Sequence, residues 1–158
     1  MAQKKARAPL TETLRPAEDG DVIELDEMWS FVQKKANKRW LWVALCRRTR
    51  QVVAFFLGDR GEDSCRRLFE RIPESYRSCQ SYSDFWAAYQ TVFPDETHQP
   101  TEKGSGQTSR LERWNCHIRQ RLARFGRKRL AFSKSDAYHR WVTKWFIHEY
   151  NQSVSTSD

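Results

Sequence analysis

The chain has 158 residues, a formal net charge of +8, 30% charged residues and 13% aromatic residues. That length builds one domain with a sizeable core, and that mix of aromatics and charge excludes a disordered chain. The longest apolar run, VVAFFLG, is far too short to span a bilayer, so no membrane segment is expected.

Residues 1–20 are polar, hold two prolines and lack an apolar period. They predict a disordered tail or linker, with order starting near Asp21. Residues 22–32 (VIELDEMWSFV) alternate as a strand. Ile23, Leu25, Trp29 and Phe31 share one face, Glu27 interrupts that row, and Asp26 points to the other face. Residues 39–46 (RWLWVALC) are nearly continuously apolar, as in a central strand covered on both sides. Residues 51–58 (QVVAFFLG) form a third strand, reached through the charged turn RRTR. Short polar connections make these three an antiparallel meander.

A short helix is expected over residues 63–72, ended by Pro73, then a strand over 79–84 and a helix over 85–93, ended by Pro94. A brief strand falls around 96–99. The Gly/Ser loop TEKGSGQ leads into a long basic helix over 108–125, with Leu111, Trp114, Ile118, Leu122 and Phe125 on one face. A basic loop (RKRLAFSKS) connects it to a last amphipathic helix over 136–151. The order β-β-β-α-β-α-(β)-α-α predicts an α/β fold. It is the layout of a ribonuclease-H-like domain: a mixed five-stranded sheet, first a three-strand antiparallel meander and then α/β units, with helices on both faces. The domain is expected over residues 21–151, with a second disordered tail over 152–158. Cys46, Cys65, Cys79 and Cys116 form no CxxC pair, and His98, His117, His139 and His148 complete no zinc pattern. They read as reduced thiols in a cytoplasmic protein.

Three carboxylates stand out. Asp is disfavoured within strands, so Asp26 in an apolar strand asks for a reason. Asp84 closes a second strand and can equally cap the following helix. Glu112 opens the basic helix, where Ser109 and Glu112 have the spacing of a capping box. Glu24 and Glu27 are alternative acids beside Asp26. Converging carboxylates on separate rigid elements are what a two-metal site for phosphodiester chemistry requires. Asn115 and Arg119 follow Glu112 on the same helical face, one amide and one guanidinium that suit a phosphate. Arg121, Arg124, Arg127, Lys128 and Arg129 extend the charge. The positive excess lies almost wholly in residues 101–150, as for a surface that meets double-stranded DNA through its backbone.

LDEMWSFV with RWLWVA, then SDFWAAY, then SRLERWNCHIRQRLARFGRKRLAFSKS together resemble the InsB-type transposases of the smallest bacterial insertion sequences, within the DDE superfamily. The resemblance runs over about residues 22–150. It implies a ribonuclease-H-like catalytic domain, Mg²⁺ or Mn²⁺ as cofactor, and cleavage and joining of transposon ends and target DNA. It also implies a homo-oligomer on DNA, acting at the nucleoid. By position it makes Asp26, Asp84 and Glu112 the metal-binding triad and Arg119 the basic residue two turns beyond. The spacing from Asp84 to Glu112 is a few residues longer than the family pattern, in the TEKGSGQ loop. The family's upstream zinc and helix-turn-helix region has no counterpart in this sequence, so end recognition is expected from a fused or separately encoded partner. A nuclease of the same fold without joining, and a non-catalytic basic DNA-binding module, are the alternatives.

Overall fold

The computed structural model describes residues 8–32, 37–84, 86–122 and 135–155. Strands β1 (Val22–Phe31), β2 (Lys38–Cys46) and β3 (Val52–Gly58) form the antiparallel meander. Helices α1 (Glu62–Arg71) and α2 (Glu74–Arg77) lead to β4 (Gln80–Ser83), which runs parallel to β1. Helix α3 (Ala87–Val92) and β5 (His98–Pro100) follow, with β5 parallel to β4. Helices α4 (Ser109–Arg121) and α5 (Asp136–Ser155) complete the described fold. The five-stranded sheet has the order β3-β2-β1-β4-β5.

β2 reads as a continuous apolar run because both its faces are covered. Trp42, Ala44 and Cys46 join Ile23 and Leu25 in a core against Leu68 of α1 and Tyr89 of α3. Leu41, Val43 and Leu45 join Met28 in a second core against Leu111, Trp114 and Ile118 of α4 and Phe146 and Ile147 of α5. One face of β1 is therefore committed to α1 and α3, and the other to α4 and α5. No helix among the described residues is long and apolar enough to cross a membrane. All four cysteines are free thiols.

The sequence expectations differ from the structure at the ends. The stretch read as a polar tail contains a 3-10 turn at Leu10–Thr13. Leu10 packs on the second core, and Leu14 and Ala17 pack on the first. Three scattered apolar residues around two prolines carry no periodic signal, although each packs on a core. Helix α5 continues to Ser155, past the expected stop at 151. The basic helix is described to Arg121, with Leu122 as its C-cap. The rest of the span read as helix and basic loop, with Arg124, Arg127, Lys128 and Arg129, lies outside the described residues.

Candidate active site

The site forms where the parallel pair β1–β4 opens. Glu24 is paired with Tyr82 in register, and β4 ends at Ser83. Continuing that register by two residues sets Asp84 abreast of Asp26. Clefts beyond the carboxyl ends of parallel strands are where α/β sheets place their ligands. Asp26, Glu27 and Asp84 each offer a carboxylate oxygen, all within 4.8 Å of one another. Asp84 also accepts from the amide of Trp86 at 2.9 Å, so it shapes the turn into α3. It is not the N-cap of that helix, a position held by Trp86. The strand that delivers Asp84 is fixed by His98, whose two ring nitrogens meet the hydroxyls of Ser81 and Ser83, each at 2.9 Å. Burial lowers the His98 pKa to about 4, so the ring is a neutral structural bridge.

Gathering these acids is electrostatically costly. Burial pushes the Asp26 carboxyl up to about 7, with further contributions from Glu27 and Asp84, while Lys103 acts in the opposite sense. Burial also raises Glu27, again with Asp84 contributing. Glu27 is held by the Tyr89 hydroxyl, which donates to it at 2.5 Å, and by Arg60, which donates at 3.1 Å. The Arg60 guanidinium lies 4.7 Å from the Trp40 ring and 4.3 Å from that of Trp86. Glu27 thus has a fixed position beside the other two acids. Hard oxygens gathered this closely, with Asp26 and Glu27 partly desolvated, fit a divalent cation such as Mg²⁺ or Mn²⁺, because a cation relieves their mutual repulsion.

Helix α4 faces this cluster from the side of the second core. Asn115 is buried and donates from Nδ2 to Asp26 Oδ2 at 3.0 Å. One turn earlier, Glu112 accepts from the Thr108 hydroxyl at 3.2 Å, outside the group of three acids. One turn later, Arg119 has a buried Nε with no hydrogen-bond partner among the described residues. Arg121 ends the helix, exposed.

The capping box read at Ser109 and Glu112 is replaced by a different arrangement. The N-cap is Thr108, and no side chain of the helix itself caps it. Instead Glu24, fully buried on β1, accepts from the amides of Arg110 at 3.0 Å and Leu111 at 3.2 Å. Its other oxygen accepts from Arg47 at 3.0 Å, and Arg47 donates onward to the Gln107 carbonyl at 2.7 Å. A carboxylate at a helix N-terminus satisfies orphan amides and opposes the helix dipole. With Glu24 in that place, Glu112 is released from capping.

Lys103 and Arg60 are the contributors to the site that sequence reasoning did not name, and Glu24, read there as an alternative acid beside Asp26, instead anchors the start of α4. Lys103 acts on Asp26 through its charge from the loop containing Gly104 and Gly106, both at φ 89°, a left-handed turn that favours glycine. The paired glycines were its signal in the sequence. Glu24 shares a face with Asp26 by alternation, but its partners lie far along the chain.

A family model described as IS1 transposase matches residues 21–152. The insertion element iso-IS1n protein InsB of Shigella dysenteriae is 36% identical over 129 residues, covering 82% of this chain and 95% of that protein. The insertion element IS1 4 protein InsB of Escherichia coli strain K12 is 36% identical over 148 residues, 92% of this chain and 86% of that protein. Among solved structures, the catalytic domain of Mos1 transposase, determined with raltegravir and Mg, superposes with a TM-score of 0.54 at 12% identity. The superposition covers 97% of this chain and 85% of that one, a likeness of fold that agrees with the ribonuclease-H-like layout. With two thirds or more of each chain aligned to InsB proteins and the family model spanning the whole sheet, α4 and most of α5, the chain belongs to the IS1 transposase family.

Proposed function

We propose that this chain is a DDE-type transposase catalytic domain that cuts DNA at the ends of its element and joins the freed ends to target DNA. The observation that carries this reading is the meeting of Asp26 and Asp84, from two strands, within one group of carboxylate oxygens. Asp26 and Asp84 would hold a divalent cation, with Glu112 as third ligand from α4. Bound there, Mg²⁺ or Mn²⁺ would supply Lewis-acid activation of the attacking oxygen and stabilisation of the leaving one.

The chain's own groups do the rest. Asn115 orients the Asp26 carboxylate. Tyr89 and Arg60 keep Glu27 in place beside it, as a charge that strengthens cation binding. Arg119, whose Nε has no partner among the described residues, offers its guanidinium to a phosphate oxygen. Arg121 adds phosphate contact next to it, and the same role is proposed for Arg124, Arg127, Lys128 and Arg129. In the first step water attacks phosphorus and the bond to the 3′ oxygen breaks, leaving a 3′-OH. In the second that hydroxyl attacks a target phosphodiester and displaces the target's 3′ oxygen. Both are in-line displacements, so one site serves both. Selection of the element's ends is assigned to the zinc and helix-turn-helix region of a fused or partner chain, and the active form to a homo-oligomer on DNA.

The test is a nicking and strand-transfer assay on duplex DNA with Mg²⁺ or Mn²⁺. Asp26→Asn, Asp84→Asn and Glu112→Gln are each expected to lower both products by roughly 10³-fold while the fold is kept. Full activity in any folded variant removes that residue from the triad. Hydrolysis without joined product would reduce the reading to a nuclease.

A further inference from the structure

Arg60 stands in the turn between β3 and α1, and that turn is pinned on both sides of it. The Trp42 indole donates to the Asp59 carbonyl at 2.8 Å. The Asp59 carboxylate accepts from the Gly61 amide at 2.9 Å and from the Ser64 hydroxyl of α1 at 2.8 Å. The Arg60 guanidinium is then packed by two indole rings, Trp40 on β2 and Trp86 at the entry to α3. Trp86 keeps this place although it is 38% exposed. Its amide also holds Asp84, so one residue fixes both the acid and the arginine.

A bond to Glu27 does not by itself account for this construction. The Glu27 side chain is 2% exposed and that of Arg60 is 41% exposed, so the acid lies beneath and the guanidinium faces the solvent. Only Nη2 donates to Glu27, and among the described residues no group accepts from Nε or Nη1. Indole rings take up the flat faces of a guanidinium and leave its in-plane N–H groups for hydrogen bonds. Holding a long cationic side chain still costs rotamer entropy, and an exposed tryptophan leaves apolar area in water. Both costs are offset where a fixed donor meets the charge of a reacting group without reorganising. The group within reach is whatever sits at Asp26, Glu27 and Asp84, whose oxygens lie within 4.8 Å of one another.

We infer that Arg60 is a catalytic residue, donating through its free in-plane N–H groups to a non-bridging oxygen of the phosphate under attack. The inference rests on the reading of the chain as a DDE-type transposase, and it adds a residue from outside both the acids and the basic helix. Nη2 stays on Glu27, which sets the plane of the guanidinium while the other donors reach the phosphate. As the water oxygen bonds to phosphorus and the bond to the 3′ oxygen breaks, one proton leaves the water and one reaches the 3′ oxygen. Arg60 keeps its own protons and balances the charge on the non-bridging oxygen throughout. Arg119 approaches from α4, on the other face of β1, so the two guanidiniums flank the acids from opposite sides of the sheet.

The experiment follows nicking of duplex DNA by the full chain, and Mn²⁺ binding without DNA by electron paramagnetic resonance. Arg60→Met keeps an unbranched side chain between the rings and removes the donors. It is expected to lower kcat roughly 10²-fold with the KM for DNA little changed. It is also expected to bind Mn²⁺ at least as tightly as the wild type, because a positive charge has left the acids. Arg60→Gln, which can still donate to Glu27, carries the same expectation and decides the matter if the methionine variant does not fold. Glu27→Gln separates direct from indirect action: adding Arg60→Met to it is expected to lower kcat by a further factor of the same order. Wild-type kcat in a folded Arg60→Met or Arg60→Gln variant overturns the inference. So does a double variant no slower than Glu27→Gln alone, or weakened Mn²⁺ binding with the rate restored by excess cation, since either makes Arg60 a positioning residue for Glu27. Each of those results leaves the transposase reading intact. Wild-type protein that binds Mn²⁺ and never nicks sinks that reading, and the assignment of Arg60 with it.

Discussion

Asp26 carries an energetic cost when no cation faces it. Its carboxyl has an ordinary value of 3.8 and is raised to about 7 in the fold, by burial first and by Glu27 and Asp84 after it. The folded state then holds the proton more tightly than the unfolded state. Stability from this group is complete below about pH 4, is lost as pH rises toward 7, and stays lost above that. Asp26→Asn removes the charge and keeps the shape. Without divalent cation at pH 8, the variant is expected to melt at least about 3 °C above the wild type, roughly 1 kcal/mol for a chain of this size. The gap should close toward pH 4. Mg²⁺ or Mn²⁺ should raise the wild-type melting temperature and leave the variant nearly unmoved. Thermal denaturation at two pH values, with and without cation, checks this. A variant less stable than wild type at pH 8 would mean that Asp26 is satisfied by Asn115 and Lys103 alone.

At the scale of elements, helix α4 depends on a residue of β1. Glu24→Ala would leave the Arg110 and Leu111 amides without their acceptor and Arg47 without its carboxylate, in a buried setting. The expected loss is about 3 kcal/mol. Glu24→Gln keeps an acceptor for the amides and loses the ion pair, so it should cost less. Hydrogen exchange at the first turn of α4 should rise in both variants, more in the alanine one, before the rest of the fold responds. Protection equal to wild type would show that Thr108 suffices as cap. This dependence also marks where sequence reading stopped. Alternation and apolar runs made β1, β2 and β3 legible, because burial on one or two faces writes its period into neighbouring residues. Asp26 and Asp84 were legible as acids at unusual strand positions. The arrangement around Glu112 was not, because a local capping box and a distant carboxylate satisfy the same amides, and only three-dimensional proximity decides between them. The 3-10 turn at Leu10–Thr13 was hidden for a similar reason: its contacts, such as Leu10 on the second core, are long-range and aperiodic.

Across the whole molecule, both ends of the described chain are tied to the sheet at the start of β3. Asn151 near the end of α5 is fully buried. Its side chain accepts from the Val52 amide at 2.8 Å and donates to the Val52 carbonyl at 2.9 Å. It thereby replaces a neighbouring strand for one residue of the outer strand. The same Nδ2 donates to the Thr13 hydroxyl at 3.0 Å. Gln51, also fully buried, donates to the carbonyls of Thr13 at 2.7 Å and Asn151 at 3.1 Å, and accepts from the Arg15 amide at 2.8 Å. These bonds hold α5 over the second core and the segment around Leu10–Thr13 beside it. Asn151→Ala would strand the Val52 amide and carbonyl in a dry site, at about 3 kcal/mol, or roughly 10 °C in melting temperature. Asn151→Asp separates the two halves of the clasp. An ionised carboxylate still accepts from the Val52 amide but sets a negative oxygen against the Val52 carbonyl. Burial raises its pKa, so the folded state favours the protonated form. The aspartate variant should therefore be weakest at neutral pH and recover toward the wild type as pH falls and the carboxyl regains a donor. The alanine variant should show no such recovery. Melting curves of the two variants between pH 5 and 8 separate these outcomes: parallel curves would mean that Asn151 acts through packing alone, and diverging curves would assign its contribution to the paired bonds with Val52.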